Sequence, residues 1–145
     1  MKMMTSTLVA AALMAAAASQ AIAEDAGTTL TLEIGGVAPS RGVVMIGLYD
    51  SEAGWTSGSA VTGARAEVDG DHVTAVFADL PAGTYGVKMY HDINANGEMD
   101  TNLMGIPSEP FAFSNNARGR FGPPSWEAAV FELSADGTVH TIRFE

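Results

Sequence analysis

The chain has 145 residues, a formal net charge of −10 and no cysteine. That length suits one domain with one core, and the lack of cysteine excludes disulfides, thiol nucleophiles, thiolate metal sites and covalently attached c-type haem. Seventeen Asp+Glu against seven Lys+Arg repel nucleic acid and anionic membrane surfaces and favour cations.

In chain order, Lys2 is followed by the apolar run Leu8 to Ala18 and then by Ala21-Ile22-Ala23. This pattern reads as a secretory signal peptide over residues 1–23 with a small-x-small cleavage site. Its apolar core falls short of the roughly 20 residues a bilayer-spanning helix needs. The expectation is a single exported domain over 24–145, periplasmic or secreted, with no membrane span.

Strand patterns dominate residues 24–145. "TTLTLEI" at 28–34 sets Leu30, Leu32 and Ile34 on one face, and "GVVMIGLYD" at 42–50 does the same with Val44, Ile46 and Leu48. A weaker strand covers Ala64 to Val68. "HVTAVFADL" points Val73, Ala75 and Phe77 inward, and "GTYGVKMYHD" points Tyr85, Val87 and Met89 inward with Lys88 outward. "AAVFEL" and "TVHTIRFE" close the chain, with Asp136-Gly137 between them as a hairpin turn. About seven short strands and no sustained helical period predict an all-β sandwich, with a helical turn only near "SWEAA".

Between the fifth of these strands and "AAVFEL", residues 92–124 show no strand alternation and are rich in Asn, Gly and Pro. Loops this long in compact domains are usually functional or tied down. Leu103, Met104, Ile106, Phe111, Phe113, Phe121 and Trp126 are expected to fold back as a satellite core. The loop opens with "DINANGEMD". Asp92, Asn94, Asn96, Glu98 and Asp100 occupy positions 1, 3, 5, 7 and 9 of an EF-hand-type loop, and Gly97 occupies position 6. Position 12 is Leu103 rather than glutamate, and no helix flanks the loop, so this is not an EF-hand. One reading is a weak structural calcium site closed by Asp100 with Asn102 or Glu109. The other is a metal-free turn in which the Asx side chains cap their own backbone.

His72, His91 and His140 lack any zinc spacing. His91 beside Asp92 suggests a base and its orienter, but neighbours on a strand point to opposite faces. Arg118 and Arg120 sit in "SNNARGRFGPPSW", where with Glu109 and Trp126 they could hold a ligand or could pair with nearby acids. These residues leave three readings open. One is a binding or accessory module for an unknown envelope or extracellular ligand, another a hydrolase-type enzyme using carboxylates of the 92–124 loop, and the third a partner that adds a strand at a sheet edge.

"LPAGTY", "HDINANGEMD", "GIPSE", "SNNA" and "GPPSWEA" occur in that order between Leu80 and Ala128. Together they resemble the bacterial domain of unknown function 2141. The resemblance implies an exported, immunoglobulin-like or prealbumin-like β-sandwich in which Tyr85 pins a tyrosine corner. A fold resemblance does not imply an activity.

Overall fold

A computed structural model describes residues 26–145, so the segment expected to be a signal peptide, 1–23, lies outside the described residues. Among the described residues eight strands form two sheets. β1 (Thr28–Gly35) lies between β4 (His72–Leu80), antiparallel to it, and β8 (Thr138–Arg143), parallel to it. The second sheet runs β3 (Thr62–Glu67), β2 (Val43–Tyr49), β5 (Gly83–Asp92) and β6 (Phe111–Phe113), all antiparallel. β7 (Phe131–Leu133) pairs with the first residues of β5, beside the stretch that β6 covers.

The inward phases are those the alternation predicts. Leu30, Leu32, Ile34, Val73, Ala75, Phe77 and Ile142 from one sheet meet Val44, Ile46, Leu48, Tyr85, Val87 and Met89 from the other in a single buried core. Tyr85 Oη donates to Pro81 O at 2.7 Å, the corner contact expected of it.

The structure departs from the sequence reading in several places. A short helix, α1 (Glu52–Ser57), follows β2. Ser51 caps it by accepting from Gly54 N, and Gly58 ends it at φ 77°. Six residues are too few for helical periodicity to show in a window of roughly 11–18. Phe111–Phe113 is a strand inside the supposedly strandless loop, held by pairing with Lys88–Tyr90. The expected helical turn is α2 (Trp126–Ala129), capped by Ser125. The Asp136-Gly137 turn is present, with Gly137 N donating to Ser134 O, but β7 and β8 do not form a hairpin. β7 joins one sheet and β8 the other, because Ile142 and Phe144 are buried only when β8 pairs with β1.

The outer face of β2 and β5 is covered as well. Tyr49, Trp55, Phe113 and Ala129 form a second buried cluster, with Trp126 against it. Trp55 is its hub, 5.4 Å from Tyr49, 6.1 Å from Phe113 and 5.8 Å from Trp126 between ring centroids. This cluster braces the outer face of the sheet over Gly86 and Lys88, in the first half of β5.

Candidate functional site

β5 ends at Asp92, whose side chain is wholly buried. Its carboxylate accepts from Asn96 N at 3.1 Å and Gly97 N at 2.7 Å, folding the next residues over the strand end. Gly97 takes φ 83°, a left-handed value open to glycine, and Ala95 is held at φ 54°. Asn94 Nδ2 and Asn96 Nδ2 donate to the two oxygens of Asp100, at 2.6 and 2.9 Å. Asp92, Asn94, Asn96 and Asp100 are thereby joined in one hydrogen-bonded turn. Glu98 is exposed, and Asn102 turns its side chain to Met104 N and Ile106 N.

Glu109 is buried and spans the loop. Oε1 accepts from Ile93 N at 3.0 Å and Oε2 from Asp100 N at 3.2 Å, so this carboxylate closes the 93–109 part of the loop. Tyr90 Oη reaches Gly97 O at 3.2 Å. Burial raises its pKa, and Asp92, Glu109, Glu98 and Asp100 raise it further, so the turn carries a negative field. Among the described residues no three His, Cys, Asp or Glu side chains converge as a metal-holding group. A cation in this turn therefore depends on amide and main-chain oxygens beside Asp92 and Asp100.

Next to this turn, the outer face of β2 and β5 and the returning loop enclose a cleft of about 860 Å³. Met45, Tyr90, Phe111 and Phe113 form apolar parts of its lining, and Lys88 and Arg120 are its two cations. Lys88 Nζ donates to Trp55 O at 2.6 Å and stands over the rings of Tyr49 and Trp55, at 4.8 and 4.5 Å from their centroids. Burial lowers its pKa. The expected satellite core does not form. Leu103, Met104, Ile106, Phe111 and Phe121 are exposed, Leu103 and Phe121 completely, and only Phe113 and Trp126 join buried aromatics. Before β6, residues 93–108 commit their polar groups to their own turns, and Leu103, Met104 and Ile106 are left exposed.

The other sequence candidates are dispersed. Arg118 pairs with Glu145, and Trp126 packs edge-on against Trp55. His91 is fully buried with both ring nitrogens engaged, Nε2 with Arg41 O at 2.6 Å and Nδ1 with Ala38 N at 3.4 Å. A neutral ring that donates from Nε2 and accepts at Nδ1 satisfies both.

Sequence reasoning passed over Lys88, Tyr49 and Trp55. The signal was present in the outward phases, Gly47 and Tyr49 on β2 facing Lys88 and Gly86 on β5. Glycine and aromatic residues on an outward phase mark a face that something covers, whereas a solvated face carries polar side chains.

The family comparison bears on these same residues. The model of a family described as "Uncharacterized protein conserved in bacteria (DUF2141)" matches residues 32–141. The chain belongs to the DUF2141 family. Searches of curated proteins and of solved structures found no match. The DUF2141-like motifs of this chain are largely structural. In "SNNA", Ser114 Oγ accepts from Val87 N at 2.9 Å and donates to Ala129 O, while Asn115 and Asn116 adopt left-handed φ of 60° and 50°. Asn115 Nδ2 then donates to Ala128 O and Val130 O, and Asn116 Oδ1 accepts from Arg143 N. In "GPPS", Pro124 O accepts from Trp55 Nε1 at 2.9 Å. Among the described residues no helix is long and apolar enough to cross a membrane.

Proposed function

We propose that this protein is an exported binding module whose 92–124 loop walls a ligand cleft on the outer face of β2 and β5. The observation that carries the reading is the cleft itself. Its volume of about 860 Å³ falls in the range of small-ligand sites, roughly 300–1,000 Å³, and exposed apolar side chains border it. Contiguous exposed apolar groups on a soluble domain commonly mark an interaction site. A neutral environment-sensitive dye such as Nile red tests this. It should bind once per chain with a fluorescence gain, and Phe111→Ser should weaken it roughly tenfold, the contribution of a buried ring. Absence of saturable dye binding to the folded protein would remove the reading.

Calcium is the brace in this proposal. Asp92 and Asp100 supply full charges, Asn94 and Asn96 supply amide oxygens, and Glu98 supplies a carbonyl at the seventh position. Binding exchanges the two Asn–Asp100 hydrogen bonds for metal–oxygen bonds. The low ligand charge sets a dissociation constant on the order of 0.1 to 1 mM. Calorimetry should show heat that Asp100→Ala abolishes, and calcium should slow proteolysis within 93–108. Identical titrations of the two proteins would refute the brace without touching the cleft.

A further inference from the structure

The cleft has a charge character opposite to the rest of the molecule. The chain carries 17 Asp+Glu against 7 Lys+Arg, yet the cleft lining includes Lys88 and Arg120 and no carboxylate. Among the described residues neither cation has a carboxylate within 4.0 Å; the ion pairs found there are Arg65–Glu67, His72–Asp71 and Arg118–Glu145. An ammonium carries three N–H donors, and Lys88 gives one to Trp55 O. Two donors and a full charge remain for a ligand. The Lys88 ammonium stands over two aromatic rings, in surroundings where charge–acceptor contacts are stronger than in water. Around these cations the lining is apolar, with Met45, Ile106, Phe111 and Phe121 among it.

We propose that the cleft takes a soluble single-chain amphiphile, an apolar tail with one carboxylate head, the head received by Lys88 and Arg120 and the tail by the apolar lining. This deepens the ligand-cleft reading and rests on it. A neutral tail fits the apolar lining but leaves the Lys88 donors unmatched, and a cationic head meets two like charges. Burial already weakens the protonated form of Lys88, and a carboxylate beside it restores that form.

The test uses decanoate, decanol and decyltrimethylammonium with the full mature chain, each below its aggregation concentration, followed by calorimetry and tryptophan fluorescence. Decanoate should bind one per chain and at least about tenfold more tightly than decanol, the ordinary contribution of a charge-assisted hydrogen bond. Decyltrimethylammonium should not compete with it. Arg120→Gln, on an exposed loop position, should weaken decanoate and leave decanol unchanged. Lys88→Met should erase the preference between the two. Equal affinity of decanoate and decanol, or an unchanged decanoate constant in Arg120→Gln and Lys88→Met, overturns the assignment of the head group while the Nile red result still stands. Failure of Nile red as well as every amphiphile overturns the cleft reading itself. Sedimentation with phosphatidylglycerol vesicles that decanoate does not displace would make the apolar rim a membrane contact. A dimer broken by Phe121→Ser would make it a self-association surface. Either result overturns the proposal.

Discussion

Ser114 shows how one side chain can complete a sheet. β6 covers Lys88–Tyr90 of β5 and β7 covers Gly83–Tyr85, which leaves Val87 N between them. Ser114 Oγ fills that gap and donates its own proton to Ala129 O. Ser114→Ala strands a buried donor and a buried acceptor, and should lower unfolding free energy in urea by about 1–3 kcal/mol. Gly86 is constrained from outside. A Cβ there would lie 2.8 Å from Trp126 Cζ3 and 3.0 Å from Trp55 Cζ3. Trp55 is tied to Pro124 O, so half-buried Trp126 has to give way. Gly86→Ala should cost about 1–3 kcal/mol and alter the near-ultraviolet circular dichroism of the tryptophans. Unchanged spectra and stability would show that the tryptophan pair yields freely to a methyl group.

Between elements, the junction of the 114–116 turn with β8 carries a pH dependence. His140 stacks on Phe131 with ring centroids 4.1 Å apart, and its Nε2 accepts from Asn115 N at 3.1 Å. Burial lowers the His140 pKa in the folded chain. The unfolded chain therefore takes up the proton first as the medium acidifies. This contribution is fully present above the ordinary histidine value, about 6.5, and is lost as the pH falls from there toward the lower folded value. His72, raised by its hydrogen bond to Asp71, acts in the opposite sense. The comparison that isolates His140 is wild type against His140→Gln. The melting temperature of wild type should fall more between pH 7.5 and 5 than that of the variant, and parallel curves would contradict the assignment.

At the scale of the molecule, the chain changes sheet at β1–β2, β3–β4, β4–β5 and β7–β8. The first and last of the described strands therefore meet in one sheet, with β8 alongside β1 in parallel register from Leu30–Thr138 to Gly35–Arg143. Ile142 and Phe144 are buried there. Each burial contributes roughly 1.5–3 kcal/mol, and a domain's whole margin is about 5–15 kcal/mol. Removing residues 138–145 also strips the ladder from one edge of β1. The truncated chain should lose its cooperative urea transition; a sharp transition near the wild-type midpoint would show that β8 is an accessory strand.

The period of two in residues 28–34, 42–50, 72–80 and 83–92 determined the strands and their inward phases, since alternation is local and one register buries every apolar side chain. The Asx residues after Asp92 left a calcium site and a self-capped turn both open, and the side-chain bonds within that stretch are visible only in the fold. Which sheet each strand joins was decided only in three dimensions. Asp136-Gly137 specifies a turn, but burial of Ile142 beside Ile34 selects the partner. The same holds for the cleft. Lys88, Arg120, Tyr49 and Phe111 lie as much as 71 positions apart, and no local pattern brings them together. Before β6 the loop turns its polar groups on itself, through Glu109, Asp92 and Asp100, and Leu103, Met104 and Ile106 are left exposed.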